Sequence, residues 1–292
     1  MLQRVLSSLI GLPLLVFCVF WHGGLPFTFG IAAVSLVALG EFYSACRKQG
    51  LRPLSWLGTV TAVLLLFGAY AAERPGTGRW LDAILAGSVL AGLVGELART
   101  ERAPVKELGT TLFGALYAGW LFRFLILLRT QGAALLAPGG GRLGVPLPGP
   151  LADPGAWVVL LVVFSTWACD TGAFFSGRAF GKHKLAPLIS PGKTVEGVVG
   201  GMICALAVAL CVGEMLLRLD LRLAGVLGVL VGVLAPVGDL CESALKRELG
   251  VKDFGCLIPG HGGVLDRFDS LLFTAPVVYY VLLIANWLRV NG

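Results

Sequence analysis

Nine apolar runs, each near the length that crosses a bilayer, divide the sequence and leave room for little except a polytopic membrane fold. They lie near 5–21, 24–40, 53–72, 80–98, 108–128, 154–176, 195–217, 223–240 and 270–288. A hydrocarbon core about 30 Å thick takes roughly 20 residues of helix to cross. Lipid offers backbone groups no partners, so runs of this kind must pair their own N–H and C=O groups as helices. Composition agrees: 57% of residues are hydrophobic and 14% charged, whereas a soluble domain carries about 25% charged residues. The expected fold is all-α, with about nine transmembrane helices. The first run follows Arg4 alone, with no small-residue cleavage motif behind it, and is expected to stay as a helix. The seven cysteines include no CxxC pair and sit mostly in apolar runs. They read as small hydrophobes rather than disulfide or zinc partners.

Nine crossings place the loops alternately on two sides. Fifteen Lys/Arg fall on one side and seven on the other, which makes the richer side cytoplasmic by the positive-inside bias. Eight of the fifteen belong to two loops with chemical promise, 177–197 and 243–269; outside them the count is seven to seven. The net charge of +6 is therefore a topology signal, and no nucleic-acid partner is expected. A Gly/Pro-rich stretch, 131–155, reads as a non-cytoplasmic connection. It separates an N-terminal scaffold half, 1–153, from a C-terminal catalytic half, 154–292.

The most polar stretch is Ser243–Asp269, with four Asp/Glu and four Lys/Arg in 27 residues. Charges at a membrane surface are costly and tend to be functional. Just before it, Asp239, Glu242, Ser243 and Lys246 fall at i, i+3, i+4 and i+7, one face of a helix. Upstream Pro236 can kink that helix and free a carbonyl. An acidic pair entering from the membrane suits a hard cation such as Mg²⁺; a solvated amphipathic extension would explain Lys246 and Arg247 but not Asp239, which borders a long apolar run. At the far end, Gly260, Gly262 and Gly263 surround His261, and Asp266 and Asp269 stand one turn apart with Arg267 between them. An Asp at a helix start can be a simple cap, but two Asp, an Arg and a Gly-rich loop exceed what capping requires.

Two more places carry chemistry. Asp170 ends an apolar run and is followed by Gly172, Ala173, Ser176 and Gly177, which would let a ligand or a helix approach. The loop 177–197 holds Lys182, Lys184 and Lys193. Its Ser190-Pro191-Gly192-Lys193-Thr194 has Pro187 where a P-loop needs its first Gly, and it lacks a preceding strand. A helix starting near Thr194 beside Lys193 would still attract an anion. His183 reads as a surface histidine.

The stretch from Ser243 resembles the phosphatidate cytidylyltransferase (CDP-diacylglycerol synthase) family. The residues that carry the likeness are Ser243, Leu245, Lys246, Arg247, Lys252, Asp253, Pro259, His261, Gly262, Gly263, Val264, Asp266, Arg267, Phe268 and Asp269. Ser190–Glu196 and Trp167–Asp170 fit the same pattern; residues 1–153 resemble the family in hydropathy and layout alone. The resemblance implies transfer of the cytidylyl group of CTP to phosphatidic acid, giving CDP-diacylglycerol and pyrophosphate with Mg²⁺. The lipid phosphate is itself the nucleophile, so no Ser, Cys or His nucleophile is needed; positioning and charge neutralisation do the work. On that reading Asp239 and Asp266 are the first metal ligands and share a bimetal site, with a monovalent cation such as K⁺ allowed as second metal. Asp170, Glu242 and Asp269 are ligands or support them. Lys193, Lys246, Arg247, Lys252 and Arg267 hold phosphates. Lys182, Ser190, Thr194, Glu196, Ser243, Asp253, Gly262 and Gly263 line the substrates, and His261 orients a phosphate or acts as an acid. The enzyme would lie in a bacterial inner membrane with its site toward the cytoplasm, and helices one to five would serve as scaffold or dimer interface. Two other functions compete: a CTP-dependent polyprenol kinase, and an ion-coupled transporter using Asp170 and Asp239. Transporters place such sites at the midplane, often between repeats; here the charges cluster at one surface and no repeat is visible.

Overall fold

The computed structural model describes residues 2–21, 24–71, 78–100, 103–136, 147–257 and 262–291, and the side chains of all of these except 2–10, 78 and 79. The helices are α1 Leu2–Phe20, α2 Leu25–Lys48, α3 Ser55–Ala71, α4 Gly78–Leu97, α5 Pro104–Gly114, α6 Arg123–Leu136, α7 Pro154–Phe180, α8 Val195–Met215, α9 Leu221–Glu248 and α10 Leu265–Asn291. A π-helical segment, Ala115–Trp120, leads from α5 towards α6. The only sheet among the described residues is a two-stranded hairpin, β1 Lys184–Ala186 and β2 Ser190–Thr194, paired antiparallel. Among the described residues, seven stretches are long and apolar enough to cross a membrane; Pro104–Leu136 counts as one of them. Gly11–Phe20 and Ser55–Ala71 are apolar but shorter. The protein is thus an all-α, multi-pass membrane protein, and its helices overlap the nine apolar runs, the run at 108–128 being divided among α5, the π segment and α6. Of the connection expected at 131–155, residues 137–146 lie outside the described residues, as do His22 and Gly23 of the first turn.

The chain packs as two compact units built from discontinuous stretches. The first comprises residues 1–18, 24–127 and 246–268, and the second 19–23, 128–245 and 269–292. Both therefore draw on residues from either side of position 153.

In the first unit α3 packs against α2, α4, α5 and the π segment. The Tyr43 hydroxyl donates to the Thr111 carbonyl at 2.6 Å, and the Ser35 hydroxyl donates to the Ala118 carbonyl inside the π segment. A π turn disturbs the i to i+4 ladder, and Ser35 supplies a donor there.

In the second unit α7 and α8 lie against each other along a seam of small residues. A Cβ on Gly201 would stand 2.7 Å from the Cys169 carbonyl oxygen and 3.1 Å from Ala173 Cβ. The small residues after Asp170 therefore admit a neighbouring helix. Arg129, 5% exposed, is tolerated because Nε donates to the Val19 carbonyl at 2.6 Å and Nη2 pairs with Asp153 at 2.6 Å. Asp153 in turn caps α7 through the Gly155 N–H at 2.9 Å.

Pro236 lies inside α9, which runs on through it. Proline has no N–H, so the Gly232 carbonyl loses its helical partner; the Cys169 thiol donates to it at 3.7 Å. The next carbonyls are also used: Ser270 Oγ donates to Ala235 at 3.1 Å and Lys193 Nζ to Pro236 at 2.9 Å. Side chains from α7, β2 and α10 thereby meet on one turn of α9 beside the proline.

Candidate active site

In the second unit, four charged side chains gather around that proline-containing turn. Lys193, brought in by β2, sits 2.9 Å from Asp239 Oδ2. Ser243 Oγ, one turn further along α9, donates to Asp239 Oδ1 at 3.3 Å. Asp170 from α7 lies within electrostatic reach of Asp239, Asp269 and Lys193. Gly238 permits this crowding: a Cβ there would be 2.8 Å from the Asp269 carbonyl oxygen and 3.1 Å from Ser270 Cα. The group holds three carboxylates and one ammonium, a net negative pocket. Glu242 is fully buried one turn beyond Asp239. Among the described residues no three His, Cys, Asp or Glu side chains converge closely enough to form a ready-made metal cage.

The hairpin reorganises the expected anion loop. Ser190–Thr194 is itself the strand β2, so the segment is not a P-loop. Thr194 ends the strand and caps α8, its hydroxyl accepting from the Gly197 N–H at 3.1 Å. Glu196, in the first turn of α8, turns back on His183: the carboxylate accepts from the His183 N–H at 3.3 Å and meets Nδ1 at 2.7 Å. Glu196 thus fastens the entry of the hairpin to the start of α8. Lys182 is exposed and Ser190 half-buried.

The first unit contains a second knot of polar groups, centred on Asp266. Its side chain is 5% exposed. Oδ1 receives Lys246 Nζ at 2.9 Å, while Oδ2 receives the N–H of Phe254 at 3.0 Å and of Gly263 at 2.8 Å. One carboxylate therefore ties the end of α9 to both shoulders of the loop that precedes α10. Gly262 adopts φ +82°, a left-handed conformation that favours glycine. A Cβ on it would lie 3.5 Å from Asp253 Oδ1. Arg247, Lys252, Asp253 and Arg267 are exposed. His261, Pro259 and Gly260 lie outside the described residues.

Sequence reasoning missed Glu41, on α2. Its Oε1 accepts from the Val264 N–H and its Oε2 from the Leu265 N–H, both at 3.0 Å. The signal was available: a carboxylate at the end of an apolar run, the property that singled out Asp170.

The cytidylyltransferase family model matches residues 2–285. This chain belongs to the cytidylyltransferase family. Similarity to curated relatives runs nearly end to end. A phosphatidate cytidylyltransferase of Synechocystis is 35% identical over 294 residues, covering 97% of this chain and 96% of that protein. Another from Bacillus subtilis is 34% identical over 289 residues, covering 97% of each. A phosphatidate cytidylyltransferase of Haemophilus influenzae is 50% identical over 135 residues, 44% of this chain and 47% of that protein. Family likeness therefore includes the N-terminal half, and Glu41 falls within it.

Proposed function

We infer that this enzyme transfers the cytidylyl group of CTP to phosphatidate, releasing pyrophosphate and forming CDP-diacylglycerol within the membrane. The observation that carries this is the end-to-end match to relatives of that name. The chemistry asks for cations beside polyanions, because the attacking lipid phosphate is already anionic and the leaving pyrophosphate must be neutralised. Lys193 and Lys246 are suited to that task. Each is held 2.9 Å from a carboxylate. Arg247, Lys252 and Arg267 add exposed positive charge around the same polar stretch.

Asp170, Asp239 and Asp269 are the candidate ligands for a divalent cation in the second unit. Asp239 lies 2.9 Å from Lys193, Asp170 is within electrostatic reach of Asp239 and Asp269, and carboxylate oxygens suit Mg²⁺, which would have to draw the three together. When bound, Mg²⁺ would supply charge stabilisation on phosphate oxygens. Asp266 and Glu242 are further acidic candidates, and K⁺ is a candidate second ion. Thr194, Ser190 and Ser243 line the nucleotide side, Glu196 shapes the hairpin beside it, and Gly262 and Gly263 give backbone access. The excess of Lys/Arg over the predicted cytoplasmic loops supports a site facing the cytoplasm of a bacterial inner membrane.

The test uses liposomes holding phosphatidic acid, with Mg²⁺ and CTP labelled at the α-phosphate. Label should enter the lipid with wild-type protein and fall at least a hundredfold with Asp266→Asn. Label entering only from the γ-phosphate would identify a kinase instead. Absence of any labelled lipid with wild type would refute the reaction.

A further inference from the structure

We propose that Glu41 is a positioning residue for cytidylyl transfer: it holds the start of α10 and the Gly262–Gly263 loop in the shape that the Asp266–Lys246 pair requires. The proposal rests on the reading of Asp266 and Lys246 as active-site groups.

Glu41 stands on the last two turns of α2, half-buried. Its two oxygens each take a backbone N–H, that of Val264 and that of Leu265, both at 3.0 Å. Leu265 is the first residue of α10. The first N–H groups of a helix have no partner within it and carry its positive dipole end. A carboxylate that meets two of them satisfies both and is held by charge as well. Aspartate and serine caps come from the residue just before a helix; this one comes from more than 220 residues away in sequence.

The surrounding loop is shaped to this contact. A Cβ on Gly263 would lie 2.6 Å from Glu41 Oε2, 2.7 Å from the Gly255 nitrogen and 2.8 Å from Asp266 Oδ2. A Cβ on Gly255 would run into the same Glu41 carboxylate. Gly263 is thus wedged between two carboxylates, one from α2 and one from α10. Phe254, whose N–H Asp266 takes, places its ring 6.0 Å from that of Phe42, the neighbour of Glu41. Glu41 fixes residues 264 and 265, Asp266 fixes 254 and 263, and Lys246 closes on Asp266. Release of Glu41 would let the start of α10 fray and carry Asp266 with it.

Glu41→Gln keeps size and one acceptor oxygen but turns an NH₂ group towards a backbone donor. Hydrogen exchange on the purified full-length protein in detergent should show protection across 262–268 falling at least tenfold, with α3 and α7 unchanged. In the liposome assay kcat should fall at least tenfold while KM for phosphatidate stays within threefold, and the melting temperature should move little. Where Glu41→Gln cannot be purified folded, Glu41→Asp replaces it. It keeps the charge but withdraws the carboxylate by one methylene from the Val264 and Leu265 N–H groups, so the same criteria apply. Unchanged protection across 262–268 would overturn the proposal. So would equal loss of protection throughout α2 and α3, or full activity despite a loosened loop. A wild type that makes no CDP-lipid would refute the reaction, while the exchange result would stand on its own.

Discussion

The pair Lys246–Asp266 is the strongest place to test the architecture of the site by thermodynamics. Asp266 is 5% exposed and Lys246 15%, with 2.9 Å between Nζ and Oδ1. In Asp266→Asn, a single amide oxygen must serve three former donors. The best choice is to keep the two backbone N–H groups and turn the NH₂ towards Lys246, leaving that ammonium unpartnered by this side chain. Breaking a buried pair this way costs about 3–5 kcal/mol; residual solvent at Lys246 puts the loss near 3 kcal/mol. Lys246→Met leaves the carboxylate with its two N–H donors, so it should cost less, about 2 kcal/mol by the value of a charged hydrogen bond. The double variant lacks the mismatch altogether and should lose about 3 kcal/mol rather than 5, a coupling of about 2 kcal/mol. At about 2–4 °C per kcal/mol for chains of a few hundred residues, the double variant should melt within a few degrees of Asp266→Asn. Thermal unfolding of the four proteins in one detergent reads this directly. Additivity within about 0.5 kcal/mol, the behaviour of independent sites, would show that the two side chains do not interact and would refute the reasoning.

Three further outcomes are expected. Lys193→Met removes the cation that joins Asp239 to the Pro236 carbonyl; KM for CTP should rise at least tenfold in steady-state assays. Gly263→Ala must displace the Gly255 backbone or two carboxylates, and overpacking of this kind costs about 1–3 kcal/mol; the melting temperature should fall and activity should drop more than tenfold. Treatment with EDTA should abolish transfer and added Mg²⁺ should restore it, with metal-dependent protection visible in limited proteolysis.

The transmembrane helices were legible because lipid imposes one rule on every crossing, and a run of apolar residues is its direct signature. The start of α8 was legible for a similar local reason: Thr194 is a capping residue with an acid, Glu196, in the first turn that follows it. The meeting of Asp239 and Ser243 on α9 followed from helical spacing alone. What escaped was long-range or short. The hairpin at 184–194 has strands of 3 and 5 residues, too brief and too polar for a period-2 pattern. The π segment at 115–120 leaves no mark in an apolar run. Pro236 announced a freed carbonyl, but nothing in sequence said that Cys169 would occupy it or that Lys193 would take the Pro236 oxygen. The partners of Glu41 were invisible because no local pattern links position 41 to positions 264 and 265.

That last contact sets an order on biogenesis. The α7–hairpin–α8 element is contiguous in sequence, and its glycine seam lets the two helices pair as soon as both are in the bilayer. Glu41 must wait. Its contacts span 223 and 224 residues, so during synthesis α2 enters the membrane long before the backbone donors that receive its carboxylate exist. That acid meets its two backbone donors only once the start of α10 has been made.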